Sequence, residues 1–340
     1  MQLDVIRTIE EFDALKEEWN ALLACSASAV PFLRHEYLAA WWRTLGGGEW
    51  KSGELYVVIA RLPDGKLSGV APLFFTRAKE NEPALMLLGS IEISDYLDVV
   101  ICPQGTNAFI EALFEQLDGP TAPPWKTLDL YNLLESSPTL PVLEAAARQY
   151  GWQYRQERLQ HCPYILLPED WDTYLASLDK KQRHEIRRKM RRAESNDDPL
   201  RWYIVTDEAS LDENIEAFLG LMEQDPEKKA FLSQAMRSHM RLTMQAAFQG
   251  GWLQLAFLEV GGVKAAAYLS FDDGGHLWVY NSGLNFDYSE ISPGWVLLGY
   301  LLQWAIENKR LAFDFMRGDE EYKYRFGALD RFIVRATIRR

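Results

Sequence analysis

Residues 276–328, HLWVYNSGLNFDYSEISPGWVLLGYLLQWAIENKRLAFDFMRGDEEYKYRFGA, decide the fold. Two runs of aromatic and β-branched residues, His276 to Ser282 and Leu311 to Met316, are bounded by turn residues and are expected to be strands. Between them Val296, Leu297, Tyr300, Leu301, Trp304 and Ala305 recur at three and four residues, the apolar stripe of a helix lying on a sheet. Ser292-Pro293-Gly294 opens that helix, with serine as the expected N-cap and proline in the first helical position. Its free N–H groups and positive dipole end then face the loop after the first strand, where an anion can bind.

At 340 residues the chain is long for one core and comfortable for two. Hydrophobic residues make up 48% and charged residues 25%, the balance of a soluble globular protein. Lys and Arg number 36 against 49 Asp and Glu, a net charge of −13. That excess argues against DNA as a general partner, because phosphate contacts supply most non-specific affinity. No apolar run approaches the roughly 20 residues that span a bilayer, and the N-terminus lacks a cationic and apolar signal pattern, so a cytoplasmic location is expected. Cys25, Cys102 and Cys162 are far apart and odd in number, and are expected to be buried reduced thiols. Neither they nor the five histidines show metal-ligand spacing, so no metal is expected.

In chain order, Leu3 to Ile6 reads as a strand, and Thr8 with Glu11 forms a capping box for a helix carrying Phe12, Leu15, Trp19 and Leu22 on one face. A helix from His35 to Leu45 stops at Gly46-Gly47-Gly48, and strands Glu54 to Ala60 and Leu67 to Phe75 flank the hairpin signal Pro63-Asp64-Gly65-Lys66. Short strands are expected at Ala84 to Leu88 and Tyr96 to Ile101, followed by helix, strand, helix and strand up to Arg158. The second half repeats this order from Leu200 and ends in a strand, Phe332 to Ile338. The repeat is one of pattern, and it points to two α/β domains with mixed sheets: 1–160, a connecting segment 161–199, and 200–340.

Strand, anion-competent loop, helix, strand is the cofactor-binding half of the GNAT acyltransferase fold, which the quoted stretch resembles. FDFMRGDEEYKYRFGA is similar to the C-terminal signature of the CelD-like (BioF2-like) acetyltransferase group, a GNAT branch related to the Fem-type peptidyltransferases with their aromatic-Lys-x-x-Phe-Gly element. Pro31-Phe32, Ala71-Pro72-Leu73, Asp95-Tyr96-Leu97-Asp98 and the basic helix near Arg187 also resemble that group. The loop Glu290-Ile-Ser-Pro-Gly-Trp departs from the usual pyrophosphate motif, Gln/Arg-x-x-Gly-x-Gly/Ala. The resemblance implies tandem GNAT units and transfer of an acyl group from acetyl-CoA or another acyl-CoA to an amine. The acceptor would be a small molecule or a cell-envelope or polysaccharide precursor. A Fem-type aminoacyl-tRNA donor and a catalytically silent ligand-binding module are the alternatives.

Acyl transfer needs a held carbonyl, a donor to its oxyanion, a base for the ammonium and an acid for the leaving group. By resemblance the strand holding Tyr280 and Ser282 offers backbone N–H groups to the carbonyl, and Tyr322 stands where the leaving thiolate is protonated. Tyr322 as a packing tyrosine is the plainer alternative. Lys323 matches the Fem-type lysine that offsets negative charge, or else forms a surface ion pair. Asp314 in an apolar strand requires a partner, expected to be Arg317 or Lys323, with a catalytic or a purely structural role. Asp95, Tyr96 and Asp98 supply two carboxylates around a tyrosine, as a base or ammonium pocket would, or an Asx-turn. Ser292 and Gly294 are the expected phosphate contacts, with Arg317 beside them. In KKQRHEIRRKMRR, residues 180–192, Asp179 is the expected N-cap and Ile186, Met190 and Ala193 form a narrow apolar stripe. Its cations are either a solvated face or an anion clamp in which Arg183, Arg187 and Arg188 make the contacts.

Overall fold

Thr8 accepts from the Glu11 N–H at 3.2 Å and Glu11 reaches back to the Thr8 N–H at 3.3 Å, closing the expected capping box. The helix it starts breaks at Ala14 and resumes over Lys16–Leu23. The computed structural model describes residues 1–77 and 81–340. Contacts divide it into one unit of residues 1–160 and 332–340 and a second of residues 161–331.

In chain order the first unit contributes β1 (Gln2–Ile6), β2 (Glu54–Arg61), β3 (Leu67–Arg77), β4 (Pro83–Leu87), β5 (Val100–Ile101), β6 (Thr127–Leu134) and β7 (Gln153–His161). The second contributes β8 (Tyr164–Leu166), β9 (Leu200–Ile204), β10 (Leu253–Val260), β11 (Val263–Asp273), β12 (His276–Leu284) and β13 (Ala312–Asp314), after which β14 (Phe332–Arg339) returns to the first unit. Among the described residues the first sheet runs β1-β2-β3-β4-β6-β14-β7, with β5 against β3, and the second runs β8-β13-β12-β11-β10-β9.

Each sheet contains a parallel pair, β4 with β6 in the first and β12 with β13 in the second. Each parallel pair is joined through a helix, Thr106–Asp118 in the first unit and Pro293–Glu307 in the second, as parallel pairing requires. The chain is thus an α/β protein of two mixed sheets. In the second unit the helix buries Val296, Leu297, Leu301, Leu302 and Ala305, the stripe read from sequence together with its flank, on Ala256, Leu258, Ala266 and Leu277 of the sheet.

Three readings are corrected here. The last strand, placed with the second domain by chain order, pairs with β6 in the first unit, Thr337 opposite Asp129 and Arg339 opposite Thr127. Of the strand expected over Tyr96 to Ile101 only Val100–Ile101 pairs, because the preceding loop is clamped instead: Asn132 donates to the carbonyls of Ile91 and Ser94 at 2.7 and 2.8 Å. Cys25 and Cys102, expected as reduced thiols, form a disulfide with Cα atoms 5.1 Å apart, since the end of helix Lys16–Leu23 comes against β5. Cys162 is buried and lies outside any disulfide.

Among the described residues no helix is long and apolar enough to cross a membrane.

Candidate functional site

β12 and β13 pair only from His276 opposite Ala312 to Trp278 opposite Asp314. β12 then continues to Leu284 while the chain after Asp314 leaves the sheet, so among the described residues 279–284 have a strand pairing on the β11 side only. The register of β11 against β12 also slips, Leu269 facing Asn281 and Ser270 facing Val279, which makes Tyr280 the extra residue of a bulge. A bulge re-aims the backbone. The open strand edge and the bulge coincide, and most of the C-terminal residues singled out from sequence border this gap.

The backbone of Ser282 is already engaged by the chain itself. Its N–H donates to Asn281 Oδ1 at 2.8 Å, and its carbonyl and hydroxyl accept from the ammonium of Lys228, the latter at 3.2 Å. Lys228 lies on the short helix Pro226–Phe231, which Asp225 caps. Burial lowers its pKa, against the opposing pull of Asp225 and Glu320. Sequence reasoning missed this lysine, since nothing local distinguishes it from Lys229.

Lys323 is 2% exposed, and its ammonium donates to the carbonyls of Arg317 and Gly318 at 2.6 and 3.1 Å and pairs with Glu320 at 2.9 Å. With the Met316 carbonyl at 3.4 Å as a fourth acceptor, its three donors are saturated. Arg317 is half-buried and serves Lys323 through its carbonyl. Glu320, which the sequence offered as an ion-pair neighbour of Lys323, keeps an exposed side chain that pairs with Lys323 and acts through its charge on Lys228.

Tyr322 is half-buried, its ring edge-on to Phe315 at 6.1 Å, and its hydroxyl bonds to none of the described residues. Burial, and then Glu320, push its pKa well above the usual tyrosine value, so it holds its proton. Tyr268, opposite Ser282 on β11, is buried and raised in the same way, with Tyr322 as the second cause.

Asp314 has a cation that the sequence reading did not name: Arg331 donates to one carboxylate oxygen, and the other accepts from the Met316 N–H at 2.8 Å. Residues after the short helix Glu321–Arg325 return alongside β8, Leu329 bonding Tyr164, and carry Arg331 to the end of β13. The arrangement is an anchor for the turn.

Ser292 is not the side-chain cap expected. It takes a left-handed conformation, φ 54° and ψ 58°, and its hydroxyl caps nothing, while Pro293 opens the helix as predicted. A Cβ on Gly294 would lie 2.7 Å from Leu284 Cδ2, so glycine lets the helix start close on the end of β12.

On the basic helix Asp179 accepts from the Gln182 N–H at 2.9 Å, and Ile186, Met190 and Ala193 are buried as the stripe required. Arg188 pairs with Glu185 at 2.9 Å, Arg187 stands 3.7 Å from Asp172, and Arg183 reaches toward the Leu175 carbonyl. Lys189 lies over the Trp295 ring at 4.1 Å, a desolvated cation–π contact, and burial lowers its pKa. The Trp295 indole N–H is buried without a partner. A cation and an orphan donor thus meet at the first turn of helix Pro293–Glu307.

The N-terminal group belongs to the first unit. Asp95, Tyr96 and Asp98 are 4%, 1% and 2% exposed in the core of the first unit, which corrects their reading as a substrate pocket. Asp98 accepts from Ser28 at 2.7 Å, Ser137 at 2.5 Å and the Val99 N–H at 2.8 Å, and burial raises its pKa. Among the described residues no group of three or more His, Cys, Asp or Glu gathers as a metal site.

Residues 180–324 match the family profile described as Acetyltransferase (GNAT) domain. No curated protein sequence matches the chain. Among solved structures, FemX superposes with a TM-score of 0.67 at 12% identity, covering 99% of this chain and 97% of that one. L-PGS from Bacillus licheniformis gives 0.57 at 13% identity, covering 94% and 90%. A tandem GNAT protein from the clavulanic acid biosynthesis pathway gives 0.50 at 12% identity, covering 98% of each chain. At such identities the likeness is one of fold, and residues 180–324 are similar to a GNAT acetyltransferase domain.

Proposed function

We propose that the second unit is an N-acyltransferase that takes its acyl group from acetyl-CoA or another acyl-CoA and delivers it to an amine. The observation that carries this reading is the separation of β12 from β13 after Trp278 and Asp314, with the Tyr280 bulge on the open edge. A strand edge so exposed can hold an acyl carbonyl beside backbone donors. The start of helix Pro293–Glu307, with Gly294, the Trp295 indole and Lys189, fits the donor's phosphates.

The donor supplies the activated acyl carbon. Tyr322 gives its proton to the departing sulfur, a task that its raised pKa suits, because the group stays protonated until a thiolate develops beside it. Glu320 takes the proton of the attacking nitrogen as the new amide bond forms and the C–S bond breaks. Lys228 supplies positive charge from the buried side. Lys323, Asp314 and Arg331 hold the turn that carries Glu320 and Tyr322. The CelD-like resemblance favours a small-molecule or cell-envelope precursor amine.

A Fem-type reading, with an aminoacyl ester on tRNA as donor, draws on one observation. The loop has a single glycine, Gly294, and that position is spent on the contact with Leu284. The two readings separate in a thermal-shift and transfer assay. A CoA ester at about 100 times its dissociation constant should add roughly 2.7 kcal/mol of stability. Stabilisation by aminoacyl-tRNA and not by any acyl-CoA would reverse the choice, and stabilisation without turnover would leave a binding module.

A further inference from the structure

The first unit carries a polar recess with no part in the chemistry above. Alternation along β6 sets Thr127, Asp129 and Tyr131 on one face, while Leu128 and Leu130 enter the core. β14 pairs with β6 so that Arg339 lies opposite Thr127 and Thr337 opposite Asp129, and the slip between Val334 and Ala336 sets Arg335 opposite the two residues Tyr131 and Asn132, a bulge on β6. Thr127, Asp129, Tyr131, Arg335 and Arg339, with Arg155 of β7 and Met86, line a cavity of about 330 Å³.

Which hydrogen-bonding groups remain unused decides what the recess can hold. Asp129 is consumed, since Arg335 donates to its two oxygens at 2.7 and 2.8 Å and Thr337 to one of them at 3.4 Å. The spare groups are mainly donors. Thr127 is 4% exposed, and its hydroxyl has no partner although it faces the cavity. The Tyr131 hydroxyl bonds to none of the described residues, and burial followed by Asp129 pushes its pKa up to about 12, so it keeps its proton. Arg339 approaches Glu82 only to 3.6 Å, and Arg155 uses one arm on Glu157 at 3.2 Å. An uncapped buried hydroxyl is costly, and two guanidinium forks beside it match the oxygens of a carboxylate or phosphate.

We propose that this recess is a second ligand site, separate from the acyl-transfer site, which takes a small oxyanion, the carboxylate or phosphate group of a metabolite. Thr127 and Tyr131 donate from the floor, while Arg155 and Arg339 close from the rim after leaving their weak acidic partners. The Arg335–Asp129 pair stays intact and fixes the geometry.

Calorimetric titration of the full chain with inorganic phosphate and, separately, with succinate tests the site and tells the two sources apart. At least one should bind saturably at one equivalent. Thr127→Val, which removes the hydroxyl and keeps the volume, should weaken that binding about fivefold, and the Arg155→Gln, Arg339→Gln double variant about tenfold or more. Gly294→Glu should leave it unchanged, which separates this site from the helix start in the second unit. No saturable binding of either probe at tens of millimolar, or binding that the arginine variant leaves intact, would overturn the proposal. Should Thr127→Val fail to fold, the double variant, whose side chains lie at the rim, decides alone.

Discussion

The ammonium of Lys323 donates to the carbonyl of Arg317 at 2.6 Å, from a side chain buried against the turn that it closes. This places the lysine of the aromatic-Lys-x-x-Phe-Gly element inside the frame and not on its surface. Lys323→Ala strips a donor from three carbonyls and leaves Glu320 without its cation, a change expected to cost about 2–4 kcal/mol. Lys323→Arg should not rescue it, because a planar fork cannot fill the space of a point charge. Urea denaturation measures the loss. Full stability with weakened substrate affinity would instead return Lys323 to a substrate-binding role.

Tyr322→Phe removes one hydroxyl that bonds to no described residue. Stability should therefore change by less than about 1 kcal/mol. The single-turnover rate should fall roughly 100-fold while donor affinity holds. Because its pKa is raised, first by burial and then by Glu320, the pH–rate profile should show no loss from Tyr322 ionisation through the usual tyrosine range. An unchanged rate in the variant leaves the residue as packing against Phe315.

Periodicity sufficed for helix Pro293–Glu307 and for the stripe Ile186, Met190, Ala193, because both are set by neighbours three and four residues away. Strands bounded by turn residues were equally readable. Contacts over long separations were not. Asp314 meets Arg331 across 17 residues, a partner that local spacing did not suggest, and Cys25 meets Cys102 across 77 residues. Lys228 reaches Ser282 across 54. The carboxylates at Asp95 and Asp98 looked like a pocket because their types suit one. Whether a polar cluster opens to solvent depends on what covers it, and Asn132 holds the loop over them.

Asp98 makes a pH prediction whose sign follows from burial. Its raised pKa means that the folded protein favours the protonated acid. Its contribution is therefore complete below the ordinary carboxylate pKa of about 3.9 and is lost as pH rises from there through the folded-state value. Asp98→Asn, which imitates the neutral acid, should remove that fall and be at least as stable as the parent near neutrality. Thermal unfolding of both proteins across a pH series reads this directly, and a less stable Asn variant with the slope retained would mean that Asp98 is ionised in the fold.

Arg183, Arg187 and Arg188 separate the two readings of the basic helix. The ion pairs of Arg187 and Arg188 are exposed and worth about 0–1 kcal/mol each, and Arg183 makes only a 3.5 Å bond to the Leu175 carbonyl, so replacing all three with glutamine should barely alter stability. If the helix clamps an anion, donor affinity should weaken and its salt dependence flatten. Unaltered affinity from low to high salt would identify a solvated face.

Gly294 offers the most direct test of the donor site, because its missing Cβ lets the helix start close on Leu284. Calorimetric titration of acetyl-CoA into the parent protein and into Gly294→Glu should show saturable binding at one equivalent in the first and at least about 100-fold weaker binding in the second, with the variant still folded by circular dichroism. Equal affinity in the two proteins, or no acetyl-CoA binding by the parent at millimolar concentration, would contradict an acyl-CoA site in the gap between β12 and β13.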